Sequence, residues 1–201
     1  MSLKDLIKKF WNYLKEDSWH SWLVSLILIL IFIRFVFFPT LSFITASPLP
    51  LVVVESCSMY HESDLKAWWT KNAAWYKTND ISEGEFITFP LRNGFTKGDI
   101  IAVWGRSPYK VGDVIVFTAN PDAKARHPII HRIITRDPIA TKGDNNAQQL
   151  TRTNNNQNID ETNISEERIM GKAVFRIPLL GWLKLIFFEP FREDAQRGFC
   201  T

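Results

Sequence analysis

Twenty residues, Trp19 to Phe38 (WHSWLVSLILILIFIRFVFF), constrain this chain more than any other stretch in it. As a helix they extend about 30 Å, the thickness of a bilayer's hydrocarbon core. Leu26 to Ile33 is unbroken apolar sequence, and Arg34 lies in the final third, where its side chain can snorkel to the outer headgroups. Ahead of this stretch, Leu3, Leu6, Ile7, Phe10, Trp11 and Leu14 fall on one helical face, while Lys4, Lys8, Lys9 and Lys15 take much of the other. Ser2 with Asp5 gives a capping-box start. Such a helix packs on protein or lies in a membrane interface, and the neighbouring span favours the interface. Four lysines precede the span, and no Lys or Arg lies between Arg34 and Lys66. The positive-inside rule then puts the N-terminus in the cytoplasm and everything after Pro39 outside. A cleaved signal peptide is the alternative. The length of the apolar stretch argues against it, as does Ile44 two positions before Ala46, where a small residue is needed.

The expected organisation is an interfacial helix over 1–18, a transmembrane helix over 19–38, an extracytoplasmic domain over 39–191 and a tail over 192–201. The protein would be single-pass in the cell membrane. A net charge of +3 is too small to argue for nucleic acid, and no basic stripe with interleaved aromatics is present. The eight Trp and fifteen Phe crowd towards the apolar segments at both ends, which suits membrane interfaces. Cys57 and Cys200 cannot make a disulfide framework; with Cys200 so near the end of the sequence, two free thiols are expected rather than one bridge. No metal-ligand spacing of Cys or His occurs, so neither metal nor cofactor is expected.

From residue 50 the pattern changes. PLVVVE is a short β-branched strand. GDIIAVWG (98–105) and GDVIVF (112–117) are strands opened by the same Gly-Asp turn, and PIIHRIITRD (128–137) and RIMGKAVFRI (168–177) are two more. Turn signals recur between short strands, so the outer domain reads as mainly β. Residues 64–80 read as a short helix inside a 60–95 insertion whose tryptophans touch lipid or fill a small core. Residues 145–162 are Asn/Gln-rich and read as an exposed polar loop. Residues 179–191 are too short for a second span and read as a last strand or a helix on the membrane surface.

The valine strand runs into Glu55-Ser56-Cys57-Ser58-Met59. A hydrolytic site needs a nucleophile, a base and a group that orients the base. Among the histidines of the outer domain, His61 is too far along an extended chain to reach back to Ser58 and reads as a surface residue. His127 lies in a loop, and His131 sits inside an apolar strand. Asp144 belongs to Gly143-Asp144-Asn145, which by itself is an ordinary turn. Lys97, Lys124 and Lys142 read as solvated.

Taken in order, ESCSM, GDVIVF, PIIHRI, TKGDNN and GKAVFRIPLLGW, behind an anchor with its N-terminus inside, resemble the signal peptidase I family in its archaeal and endoplasmic-reticulum branch. The resemblance covers about Leu49 to Leu185. It implies a coiled antiparallel β catalytic domain behind one transmembrane helix. It implies Ser58 as nucleophile, His131 as the histidine base of this branch, Asp144 as the aspartate of the Gly-Asp-Asn box, and Ser56 with the Ser58 N–H as the oxyanion hole. The substrates implied are secretory preproteins, cut after small residues at −1 and −3. Membrane lipid and the protein translocation channel are the other partners expected. The chain departs from the family in having Cys57 where glycine usually precedes the serine. A second acidic residue often follows the Gly-Asp-Asn box closely; here the next carboxylates are Asp160 and Glu161, and either can fold back or the role is absent. Two competing readings are a catalytically inactive accessory subunit and a Ser-Lys peptidase of related fold.

Overall fold

The computed structural model describes residues 2–106, 108–193 and 196–201. Met1, at the start of the 1–18 segment, Ser107, and Asp194 with Ala195 in the 192–201 tail lie outside the described residues. The chain divides into two compact units, Met1–Ile44 and Thr45–Thr201.

The first unit begins with α1 (Leu3–Leu14), and its expected capping box is present: the Ser2 N–H donates to Asp5 at 3.0 Å. Next comes α2 (Trp19–Phe32), started by Ser18, whose hydroxyl accepts from the Ser21 N–H. The helix does not stop at Phe38. It winds through one wider turn, Ile33–Phe37, and continues as α3 (Phe38–Thr45). In that turn the Phe38 N–H reaches back five residues to the Ile33 carbonyl. The wide turn lies just before Pro39, which has no N–H to donate and whose ring clashes with the carbonyl four residues back, so the widening relieves the clash and the helix survives. From Trp19 to Thr45 it has 27 residues, about 40 Å, with mostly exposed apolar side chains. Among the described residues it is the one helix long and apolar enough to cross a membrane. That supports a single-pass membrane protein.

The second unit is built on six strands: β1 (Leu51–Val53), β2 (Ile100–Trp104), β3 (Val114–Phe117), β4 (Ile129–Arg136), β5 (Ile139–Lys142) and β6 (Ile169–Ile177). They form one antiparallel sheet in the order β1-β2-β6-β3-β4-β5. The expected strands all appear, and β5 is added to them. The two Gly-Asp turns are alike: Gly98 and Gly112 both have φ +90°, a conformation that favours glycine. In each the following aspartate accepts a backbone N–H three residues before it, Thr96 to Asp99 and Lys110 to Asp113. An apolar helix followed by an antiparallel sheet domain matches the general architecture that the resemblance implies.

The insertion forms α4 (Leu65–Thr78) and the single turn α5 (Glu83–Phe86). Trp68, Trp69, Tyr76, Phe86 and Phe89 pack with Ile134 and Ala140, so these tryptophans fill a core. Side chains alternate along a strand. On β4, Arg132 and Ile134 therefore face this aromatic cluster, while His131 and Ile133 face the other way; Ile133 packs there with Ile115, Ile139 and Ile164. Residues 179–191 resolve as helix, α6 (Trp182–Phe188), followed by a short 3-10 turn, Glu189–Phe191.

Candidate active site

Past Val53 the chain leaves the sheet and turns at Cys57–Tyr60, where the Tyr60 N–H bonds the Cys57 carbonyl at 3.1 Å. Met59 is buried, and its backbone carbonyl accepts the Phe95 N–H at 3.0 Å. With its neighbour pinned in the core, Ser58 is left half-buried at the turn. The Ser58 hydroxyl lies 3.2 Å from that of Ser56. A second strand of support comes from the Gly143-Asp144-Asn145 turn: the Asn145 N–H donates to the Ser58 carbonyl at 2.8 Å and its side-chain amide to the Cys57 carbonyl at 3.1 Å.

His131 reaches the same turn from β4. A Cβ built on Gly143 would lie 2.7 Å from His131 Nε2 and 2.8 Å from the Ser58 carbonyl oxygen, so ring and serine backbone both press on this glycine. The other ring nitrogen, Nδ1, is paired with Glu161 Oε1. Glu161 is fully buried. Its second carboxylate oxygen accepts the Leu150 N–H at 3.0 Å, and its carbonyl accepts from Thr141 N and Gln149 Nε2. The polar loop thus returns along β5 and delivers a carboxylate to the imidazole. A proton held on Nδ1 by Glu161 leaves Nε2 with its lone pair, on the side of Ser58.

Asp144 does not meet His131. It accepts Arg132 Nε and Nη2 at 2.9 and 2.7 Å, Tyr76 Oη at 3.0 Å and His61 Nε2 at 3.0 Å, all buried. Burial alone would raise its pKa, but the Arg132 guanidinium and the His61 bond outweigh this and hold the carboxyl well below the usual range. Tyr76 is pushed up by burial and by the Asp144 charge. Asp144 therefore sits at the head of a brace between the aromatic insertion and the turn that touches Ser58. Asp160 lies on the surface side of the loop, bonded to Arg152 and Thr162. A sequence signal separates it from Glu161: Ile159 faces inward, and residues two apart on an extended chain share a face.

A groove of about 940 Å³ runs over these residues. One wall is β1 and its continuation through Ser56 to Ser58; the other is Lys124 to His131. β1 pairs only with β2, so it is an edge strand. Residues 129–131 pair with β3 on one side, and β5 pairs β4 only from Arg132 onward. The groove therefore has strand-like backbone on both walls.

Four sequence expectations are corrected. Cys57 and Cys200 are joined in a disulfide, so the thiols are not free; the chain brings the two together from 143 residues apart, a proximity sequence position cannot show. His61 is not a surface residue: it is buried, stacked on Trp68 at 3.8 Å and bonded to Asp144. Lys97 and Lys142 are not solvated. Lys97 is buried on Glu189 and the Gln196 carbonyl. Lys142 donates to the Gly143 and Asp144 carbonyls beside the Trp75 and Tyr76 rings, and burial pushes its pKa down to about 8 against the pull of Asp144 and Glu161. A depressed lysine suits a Ser-Lys site, yet the ionisable base lining the groove next to Ser58 is His131 rather than Lys142.

No family model matches the chain. It is similar to curated proteins named signal peptidase complex catalytic subunit SEC11. The Pyricularia oryzae protein is 28% identical over 119 residues, 54% of this chain and 65% of that relative. The Verticillium alfalfae protein is 26% identical over 174 residues, 82% of this chain and 79% of the relative. In Eremothecium gossypii the identity is 43% over 65 residues, 28% of this chain and 37% of the relative. The chain thus spans less than two thirds of the Pyricularia relative's length. Together with the apolar helix, these similarities support a signal-peptidase-family membrane protein in the broad sense.

Proposed function

We infer that the chain is a membrane-anchored serine endopeptidase that removes N-terminal signal peptides from secreted preproteins, cutting after small residues at −1 and −3. The observation that carries this reading is the buried Glu161–His131 pair, whose free Nε2 faces the Ser58 turn at the end of an edge strand in an open groove. A serine hydroxyl is a poor nucleophile at neutral pH and needs a base as it attacks. Nε2 takes the Ser58 proton while Oγ bonds to the scissile carbonyl carbon. Glu161 holds the tautomer and stabilises the imidazolium. The Ser58 N–H and the Ser56 hydroxyl donate to the tetrahedral oxyanion. The imidazolium then protonates the leaving amine, and water, deprotonated by the same nitrogen, releases the acyl group from Ser58. Substrate binds as an added strand between β1 and residues 129–131, with alternate side chains in the groove's pockets. In this reading Glu161 takes the orienting role and Asp144 braces the Gly143–Asn145 turn. The N-terminus is cytoplasmic, the sheet domain lies outside, and membrane lipid and the translocation channel are neighbours.

The test is cleavage of a preprotein peptide by the detergent-solubilised full chain. Ser58→Ala should abolish cleavage without loss of folding, and cleavage above trace level by that variant would end the mechanism. Glu161→Gln should lower kcat by about 10³–10⁴-fold, the scale seen when an orienting carboxylate is neutralised. Asp160→Asn should stay close to the unaltered protein. The reverse order of those two effects would transfer the role to Asp160.

A further inference from the structure

We propose that α6, together with Glu189, Arg192, Gln196 and Cys200, forms a positioning strap for Ser58, locked by oxidation of Cys57 and Cys200. This rests on the peptidase reading above. Two of the three residues before the nucleophile, Glu55 and Cys57, are held from one side by this segment. Arg192 donates Nη1 to the Glu55 carbonyl at 3.0 Å and Nη2 to the Glu55 carboxylate at 2.6 Å. Lys184 donates to the other Glu55 oxygen at 2.9 Å. Cys200 is bonded to Cys57, the residue next to Ser58. From the other side the same stretch is held by Asn145, through the Cys57 and Ser58 carbonyls. Besides Met59 in the core, the serine turn therefore has two clamps, and one of them is the strap.

The strap is itself anchored to the sheet domain. The Lys97 ammonium, buried at the turn before β2, bonds Glu189 at 2.8 Å and the Gln196 carbonyl at 2.7 Å. The Trp182 indole N–H donates to the Lys97 carbonyl at 3.2 Å. Arg192 and Gln196 also line the groove, so the strap is part of the wall along which a substrate chain would run. Burial would raise the Glu55 carboxyl, but Lys184 and Arg192 hold it below its ordinary value, which keeps the charge pair closed. A glycine before the nucleophile could not be tied in this way; Cys57 can.

The lock closes by thiol–disulfide exchange. A small disulfide takes the two electrons, the Cys57 and Cys200 thiols each give up a proton, and two thiols of the exchange partner leave. An oxidising compartment would keep the bridge closed. Opening it removes the covalent part of one clamp. Loss of alignment at a nucleophile acts on kcat more than on substrate binding, and a displacement of about 1 Å can cost about 10²-fold.

The experiment uses the full chain in detergent, oxidised or reduced with dithiothreitol, beside the double variant Cys57→Ser, Cys200→Ser. The readouts are kcat and KM on a preprotein peptide and amide hydrogen exchange at Tyr60 and Asn145, whose N–H groups bond the Cys57 and Ser58 carbonyls. Reduction should lower kcat about 10- to 100-fold with KM little changed. Oxidised glutathione should restore it. The double variant should sit at the reduced level and answer to neither reagent. Exchange at Tyr60 and Asn145 should quicken in the reduced and variant proteins while the sheet keeps its protection. Equal kcat in both redox states, or unaltered exchange at Tyr60 and Asn145, would overturn the strap. So would quickened exchange throughout the sheet, which would make the bridge a general stabiliser. Absence of cleavage by the oxidised protein would end the peptidase reading instead, and the exchange measurement would still decide the strap.

Discussion

Asp144 is a carboxylate with no exposed surface, and its charge is balanced by one guanidinium. Arg132 spends its remaining donors on the Pro90, Gly112 and Leu91 carbonyls, so Asp144 is the one carboxylate hydrogen-bonded to it among the described residues. Removing one partner of such a pair leaves a buried charge and costs about 3–5 kcal/mol. Asp144→Asn should therefore lower the denaturant midpoint well below that of the unaltered protein at neutral pH. The folded pKa is depressed below the unfolded value of about 3.9. The stability it contributes is thus fully present above about pH 4 and is lost as pH falls further. The gap between variant and unaltered protein should hold from pH 7 to about 4 and narrow below, as read by denaturant unfolding at each pH. A gap that stayed constant into acid would mean that Asp144 contributes as a neutral hydrogen-bond acceptor. At this scale the order of boxes was enough to single out Ser58 and His131, and both line one groove. The partner of each buried carboxylate was not. Asp144 and Glu161 differ only in what a 60–95 insertion and a polar loop bring to them, and those contacts are between residues far apart in sequence.

Elements were easier to read than partners wherever one period governed them. β1, β2, β3, β4 and β6 follow β-branched runs bounded by Gly, Pro or Asp, and each lies within its expected stretch. β5 escaped because Ile139–Lys142 is only four residues with no alternation of its own: all four are buried, and its partners on β4 define it. The helix α4 was legible in place but not in purpose. Leu65, Trp69 and Tyr76 share one helical face, but only the sheet face beneath, with Arg132 and Ile134, makes that face a core rather than a lipid contact. Pro39 misled in the opposite direction. Proline ends most helices, but here a wide turn at Ile33–Phe37 absorbs it, and the helix reaches Thr45. The polar loop is the instructive case, since composition marks 145–162 as exposed while its last residues carry the buried Glu161 to His131.

For the whole molecule, the proposed activity depends on which side of the membrane the sheet domain occupies. Signal sequences emerge outside, and the charge bias predicts that side: Lys4, Lys8, Lys9 and Lys15 precede the span, and no Lys or Arg lies from Phe35 to Leu65. The disulfide at Cys57 and Cys200 agrees, since such bridges persist in oxidising compartments and are rare in the cytosol. It also simplifies the test, because both cysteines of the sequence are consumed and give no background thiol. Asn156 is an exposed residue of the polar loop, whereas Asn155 is tied down by bonds to the Thr151 and Ile159 carbonyls. Asn156→Cys therefore places one reactive thiol on the sheet domain with little disturbance. On intact cells an impermeant maleimide should label this cysteine fully, and a matching cysteine at Glu16, in the lysine-rich segment before the span, only after the membrane is opened. The opposite pattern would put Ser58 in the cytoplasm, where no emerging signal sequence reaches it. The peptidase reading would then fail, even with the Ser58, His131 and Glu161 geometry intact.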